Sequence, residues 1–362
     1  MPCHVVEVNV SGKHRIQCRY LSQEDLISSG CLDVRLAMTA AEDAMLAYRE
    51  KRILFPDKIV QIFDEDTQER INCLPATLLT EHICGVKWVS VFPRNPAVHG
   101  IQNLAAVIVL SEIETGHPLA FMDGTLCSNI RVGAMGGVAA KNFARPDSTK
   151  IGFIGSGEQA KMHLLAMKTA VPSLRECSVS DLHQVEEEIF AEEMGRLFPD
   201  MTFTCTKHDN QAAVEGADII VTATSAQQPL LKAEWVKPGS FYSHIGGWED
   251  EYAVAAQADT IICDEWETVK HRTQTLSRMY KDGQLSDADV AGDLDAVVAG
   301  EIPGRQSPEE RVYFNAVGLA YVDVAIAHAM FVRAQAAEVG HMLTLQDTMV
   351  FKHENLVDSI RI

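Results

Sequence analysis

The sequence has no uninterrupted apolar stretch of about 18 residues, so no segment reads as a membrane-crossing helix. Its opening, MPCHVVEVNVSGKHRIQCRY, lacks the charged start and long apolar middle of a secretory signal. No CxxC occurs. The nine cysteines (Cys3, Cys18, Cys31, Cys73, Cys84, Cys127, Cys177, Cys205 and Cys263) are odd in number and widely spaced. That pattern argues against a disulfide framework and against a metal site. It reads instead as reduced thiols, small buried hydrophobes of a cytoplasmic protein. Positive charge is also scarce: 31 Lys and Arg against 50 Asp and Glu give a formal net charge of −19. Such a surface repels polyphosphate backbones and anionic lipid, which argues against nucleic acid and membrane as partners. Low-complexity tracts and internal repeats are missing too.

What is present is ordinary globular material. The 47% hydrophobic content is enough to build real cores without covalent staples. A chain of 362 residues suggests two domains, at roughly 100–200 residues each. Val34, Met38, Ala41, Met45 and Tyr48 recur at helical spacing and predict a helix over 33–52. Strand-like runs follow at 58–63, 85–92 and 104–111 with no long helix between them, which predicts an antiparallel or mixed sheet. Residues 129–144 are rich in glycine and alanine and predict a closely packed helix.

The pattern changes at Lys150. Short apolar runs (KIGFI, CSVSD, MTFTC, DIIVTAT, FYSHIG, TIICDE) alternate with helical segments at 158–170 and 185–197. This predicts βαβ units, a parallel sheet covered on both faces and right-handed crossovers. A long helix ending near 338 returns the chain to the first domain, and the tail after Thr348 reads as loose or as a peripheral contact. The expected fold is therefore α/β: a Rossmann-type doubly wound parallel sheet over 131–314, plus a discontinuous α+β domain formed by 1–130 with 315–362.

Gly155-Ser156-Gly157-Glu158-Gln159-Ala160 is a GxGxxA loop directly after a strand and opening a helix. Gly155 permits the tight turn, Gly157 lets a pyrophosphate approach the backbone, and Ala160 lets helix and strand pack closely. The free amides of the helix's first turn then face the phosphates. Asp181, at the end of the next strand, can accept hydrogen bonds from the ribose hydroxyls of NAD and would repel a 2′-phosphate. No arginine follows at Leu182, His183 or Gln184, which favours NAD over NADP. The alternative is that Asp181 only caps the next helix. Thr222, Ala223 and Thr224 end a strand where the crevice of an open sheet lies, and they read either as a lining of the cofactor ribose or as a plain strand end.

In order, GVKWVSVFPRNP, ETGHPLAFMDG with SNIRVGAMGGVAAKNFA, IGSGEQA and FNAVGLAYVD resemble the ornithine cyclodeaminase/μ-crystallin family of amino-acid and ketimine oxidoreductases, over about 19–344. The resemblance implies a substrate-binding and dimerisation domain beside the NAD domain, a homodimer, and a small amino or imino acid as substrate. It implies that Lys87 and Arg131 hold the substrate carboxylate, with Lys58 at the place of a third cation, usually arginine. Without the family, Lys87 reads as a snorkelling edge lysine and Arg131 as part of a surface ion pair. The segment CDEWETVKHRTQTLSRMYKDGQL is more similar to a branch that includes an N-(2-amino-2-carboxyethyl)-glutamate dehydrogenase and tyramine oxidase accessory subunits.

Three positions depart from the cyclodeaminases. Asn103 and Val132 stand where those enzymes have threonine, and Trp248 stands where a catalytic aspartate follows a glycine pair. Glu249 or Asp250 is then the expected acid or base, against the alternative of a solvated acidic loop. The expected activity is NAD-dependent hydride transfer to or from the α-carbon of an amino or imino acid. Two alternatives are a cyclodeaminase-type lyase that uses NAD catalytically to turn ornithine into proline and ammonia, and a non-catalytic accessory subunit of the same fold.

Overall fold

Burial alternates along the strand Ile83–Val91 of the first half of the chain and runs almost unbroken along the central strands of the second. This difference sorts the chain into two sheets. The structure, a computed structural model, describes residues 15–64, 66–347, 349, 352 and 356–361. Cys3, most of the opening segment inspected for a signal, and most of the tail after Thr348 lie outside the described residues.

In chain order the first strands are β1 (Ile16–Leu21), β2 (Ile53–Leu54), β3 (Ile59–Asp64), β4 (Glu69–Leu78), β5 (Ile83–Val91), β6 (Leu104–Glu112) and β7 (Pro118–Asp123). Next come β8 (Lys150–Ile154), β9 (Glu176–Ser180), β10 (Thr202–Cys205), β11 (Ile219–Thr222), β12 (Gln227–Leu231) and β13 (Phe241–His244). The series ends with β14 (Trp248–Asp250), β15 (Thr260–Cys263), β16 (Gly292–Asp293), β17 (Val312–Asn315) and β18 (His341–Gln346).

Two units result. One comprises 1–32, 53–127 and 323–362; the other comprises 33–52 and 128–322. The expected division of 1–130 with 315–362 against 131–314 differs from this at 128–130 and 315–322, which fall in the second unit, and most of all at the helix Val34–Arg49. That helix packs within the second unit against the helices Leu294–Val298 and Glu158–Ala170.

The first unit holds a mixed sheet in the order β18-β1-β7-β6-β5-β4-β2, with β3 also on β4. All its pairings are antiparallel except β1 with β7. The runs at 58–63, 85–92 and 104–111 correspond to β3, β5 and β6. No expectation covered β4, β7 or β18. The last is exposed over most of its length and is fixed by pairing with β1, a long-range contact that local pattern does not encode.

The second unit holds a parallel sheet in the order β10-β9-β8-β11-β13-β17-β15-β16. From β8 the chain builds outward through β9 and β10, then returns to place β11 on the other side of β8. The order reverses there, which opens a crevice beyond the carboxyl ends of β8 and β11. Helices Glu158–Ala170 and Gln184–Leu197 help cover the sheet, which is why its central strands are buried on both faces.

The glycine-rich helix spans Thr125–Phe143. A Cβ at Gly133 would meet the Met162 carbonyl oxygen at 2.5 Å, and one at Gly137 would meet the Ala166 Cβ at 2.8 Å. The small residues thus let this helix approach the helix Glu158–Ala170 closely. Because Gly133 faces backbone, Gly133→Ala is expected to destabilise the protein by about 1–3 kcal/mol. A Cβ at the helical Gly195 meets nothing nearer than 3.7 Å, so Gly195→Ala should stabilise by about 0.5–1 kcal/mol. Urea denaturation of the two variants checks the opposite signs.

Candidate active site

The GxGxxA loop occupies the end of β8. Gly155 has φ +98° and its Cβ position lies 2.5 Å from the Ala223 carbonyl oxygen, so only glycine fits there. Gly157 caps the helix Glu158–Ala170, and its Cβ position faces open space. Ala160 is fully buried, Glu158 is exposed, and the amide of Gln159 donates to Asn129 at 3.0 Å. The loop therefore turns tightly, leaves room above its second glycine and packs its helix closely, which are the requirements for seating a pyrophosphate.

Asp181 follows β9 and is held by that loop. Its Oδ2 accepts from the Ser156 amide at 2.9 Å and from Ser156 Oγ at 2.8 Å, and its Oδ1 accepts from the His183 amide at 3.1 Å. The carboxylate keeps unused lone pairs, since a carboxylate offers about four acceptor sites. It does not cap the next helix, whose N-cap residue is His183.

Thr222, Ala223 and Thr224 carry the chain off β11 into the crevice. Glu249, fully buried on β14, fixes them. Its Oε1 accepts from the Thr224 amide at 2.5 Å and from Thr224 Oγ1 at 2.6 Å, and its Oε2 accepts from Thr222 Oγ1 at 2.9 Å and from the Gly246 amide at 2.7 Å. Asp250, equally buried, accepts from Thr275 Oγ1 at 2.5 Å and from the Tyr313 hydroxyl at 3.0 Å. Both carboxylates expected to act as acid or base are engaged with the protein's own donors, and neither lies in a solvated loop. Burial pushes the Asp250 carboxyl up to about 6 from the ordinary 3.8. His244 Nε2 lies 3.6 Å from Glu249 and 3.7 Å from Asp250, while Nδ1 meets Asn315 Oδ1 at 2.7 Å.

Arg131 is buried in the same unit. Its guanidinium packs on Gly318, where a Cβ would lie 2.6 Å from both terminal nitrogens and where φ is +92°. Asp264 orders that turn by accepting from the amides of Gly318 at 2.6 Å and Val317 at 2.9 Å. Burial raises the Asp264 carboxyl to about 6, against the attraction of Arg131.

Lys87 belongs to the first unit. It sits on β5 opposite Leu74 and Ile108, and its Nζ pairs with Asp323 Oδ1 at 2.7 Å with both side chains buried. Lys58 is half-buried just before β3. An open cavity of about 680 Å³ on this unit is lined by Ser90, Phe92 and Ile101 among others and contains none of the expected site residues.

Three functional side chains escaped the sequence reading. Asp323 closes FNAVGLAYVD, and Asp264 and Gln274 both lie in CDEWETVKHRTQTLSRMYKDGQL, so all three stood in segments already noted, but no local pattern marked their contacts. Gln274 Nε2 donates to the carbonyls of Ile245, Gly246 and Ala316, and its Oε1 accepts from Asn315, so it joins the ends of β13 and β17. Among the described residues there is no cluster of metal-ligating side chains, and no helix is long and apolar enough to cross a membrane.

Two expectations follow. Lys87→Met removes the ammonium beside a buried carboxylate and should cost about 3–5 kcal/mol in urea unfolding. Asp250 has a folded pKa above its unfolded one, so its contribution to stability is full below about pH 4 and is lost as pH rises through about 6. Asp250→Asn removes that slope. The wild-type minus variant unfolding free energy should fall between about pH 4 and pH 6; a flat difference would contradict it.

Residues 22–338 match the model of the ornithine cyclodeaminase/mu-crystallin family. The chain is 26% identical over 330 residues to the N-((2S)-2-amino-2-carboxyethyl)-L-glutamate dehydrogenase of Staphylococcus aureus, covering 90% of this chain and 98% of that one. Its fold matches that of Delta(1)-pyrroline-2-carboxylate reductase from Thermococcus litoralis, solved with NADH and L-proline. The TM-score is 0.85 and the identity 28%, over 89% of this chain and 99% of that one. It matches an archaeal alanine dehydrogenase dimer with bound NAD at a TM-score of 0.82 and 31% identity, over 91% and 100% of the two chains. The chain belongs to the ornithine cyclodeaminase/mu-crystallin family.

Proposed function

We propose that this chain is an NAD-dependent oxidoreductase that transfers a hydride to or from the α-carbon of an amino or imino acid. The observation that carries the reading is the crevice loop: a glycine turn that no side chain could replace, open space above Gly157, and Asp181 pinned beside it by Ser156. NAD fits this cradle, with the pyrophosphate over 155–160, the adenosine ribose at Asp181 and the remaining ribose along 222–224. NADP fits poorly, because a 2′-phosphate would meet the Asp181 carboxylate. When bound, the cofactor supplies the hydride acceptor or donor; the protein supplies orientation and charge.

Lys87 and Arg131 bind the substrate α-carboxylate in this reading, with Lys58 as a further cation. A guanidinium suits bidentate carboxylate recognition, and Gly318 with Asp264 holds that of Arg131 in place. Asp323 performs the same service for the Lys87 ammonium. Glu249 and Asp250 act through what they hold: the ends of β11 and β13, and the hydroxyls of Tyr313 and Thr275. A cyclodeaminase would need a carboxylate available to the substrate just after the glycine pair. Trp248 occupies that place and Glu249 is spent on the strand ends, which favours the dehydrogenase or reductase over the lyase.

The second unit serves as the NAD domain and the first as the substrate and dimerisation domain. Homodimerisation is supported by the large apolar side chains that the first unit's sheet exposes, among them Trp88, Phe121, Ile59 and Phe63, and by the dimeric state of the archaeal alanine dehydrogenase. A cytoplasmic location is supported by the free thiols among the described residues.

NADH fluorescence tests the proposal. Purified protein should bind NADH more tightly than NADPH and should interconvert NAD and NADH with members of a panel of amino and keto acids. Arg131→Ala should raise KM about 10- to 150-fold, the loss of a charge-assisted hydrogen bond. Absence of affinity for either nucleotide would overturn the reading.

A further inference from the structure

The segment between the helices Trp266–Val269 and Thr275–Lys281 is fixed from several directions. The Arg272 amide donates to the Val269 carbonyl at 3.0 Å, and Lys281 Nζ donates to the Arg272 carbonyl at 2.7 Å. Arg278 Nε donates to the Thr273 carbonyl at 2.9 Å while its guanidinium lies over the Trp248 ring, 4.6 Å from the centroid. Two residues on, Gln274 is bonded to Ile245, Gly246, Asn315 and Ala316 at the carboxyl ends of β13 and β17. Residues 270–274 are thus a rigid connection held at the carboxyl end of the parallel sheet, where ligands of open α/β sheets bind.

The cations of this segment are provided for, with one exception. Lys270 pairs with Glu267 at 2.7 Å and Asp287 at 3.0 Å, and Lys281 and Arg278 have the contacts just given. The Arg272 guanidinium is half-buried and makes no hydrogen bond or ion pair with any described residue. Burial lowers its pKa, with no carboxylate among the described residues to offset the effect. This happens in a chain with 50 Asp and Glu and only 31 Lys and Arg. Partial burial of an uncompensated charge is unfavourable, and a fixed backbone removes the side chain's easiest escape. The turn 315–318, which Gln274 ties to this segment, is also where the Arg131 guanidinium packs, on Gly318.

We propose that Arg272 recognises a second carboxylate on the substrate, so that the enzyme acts on amino or imino acids with an acidic side chain. The inference rests on the proposed oxidoreductase activity and on Arg131 as a ligand of the α-carboxylate. Arg131, packed on Gly318, and Arg272, two residues from the Gln274 that is bonded to the same turn, then read the two ends of a dicarboxylate, each through the paired N–H groups that match a carboxylate's oxygens. A neutral side chain would leave Arg272 desolvated and unpaired, so the site selects against it as well as for the acid.

The test compares length-matched acidic and neutral substrates, L-glutamate and L-aspartate against L-norvaline and L-2-aminobutyrate, in wild type, Arg272→Gln and Arg272→Lys. It reads kcat/KM and, independently, calorimetric binding of glutarate and succinate to the NADH complex. Wild type should prefer the acidic set. Arg272→Gln should lower the acidic-to-neutral ratio of kcat/KM, and the affinity for the dicarboxylates, by about 10- to 150-fold. Arg272→Lys should recover part of both. The side chain has no partner among the described residues to lose, so neither variant should affect folding. Preference for the neutral set in wild type, or an unchanged ratio in Arg272→Gln, overturns this inference and leaves the oxidoreductase reading standing. Failure to turn over either set while NADH binds overturns both.

Discussion

Four hydrogen bonds converge on the buried carboxylate of Glu249, and the geometry of the crevice depends on them. A buried anion is strongly unfavourable unless protein donors replace its hydration. The side chain therefore holds Thr222, Thr224 and Gly246 in one arrangement, and with them the carboxyl ends of β11 and β13. Gly246 is glycine for the same reason: a Cβ there would lie 2.6 Å from the Glu249 carboxyl carbon. Asp250, His244, Asn315 and Gln274 extend the network to β17. The result is a polar, prearranged floor beneath a nucleotide loop, made by residues that need not touch the substrate.

A second regularity concerns the cations. In each unit a buried carboxylate stands behind the basic side chain proposed to bind the substrate. Asp323 meets the Lys87 ammonium directly, while Asp264 acts on Arg131 through the Gly318 turn. Buried ion pairs of this kind contribute little net stability, because desolvation offsets attraction. Their value lies in orientation: a lysine on a flexible stem is held in one place, and a guanidinium is kept in one plane. The strong negative charge of the chain is thus not only a matter of surface. Part of it is spent inside, positioning the few positive groups.

Much of this was legible beforehand, and unevenly. The second unit followed from strand and helix alternation, because each βαβ step is local and its apolar strands stand out. The glycine loop and Asp181 were legible because a motif of fixed spacing encodes their geometry. In the first unit, β4, β7 and β18 were not. β18 is exposed over most of its length, so no hydrophobic periodicity marks it. Asp323 sat at the end of a segment already noted, but only the fold sets it against Lys87, and these residues are 236 positions apart.

The sequence by itself determined the fold class and the nucleotide loop, because periodicity and short motifs are local properties of a chain; the residues expected to meet a carboxylate came from the family resemblance. Tertiary structure alone decided what those residues face. It spent Glu249 and Asp250 on the protein's own donors, paired Lys87 with Asp323, gave the helix Val34–Arg49 to the second unit and left Arg272 without a counter-ion among the described residues. The physical reason is that burial and charge pairing are set by neighbours distant in sequence, which no local pattern specifies.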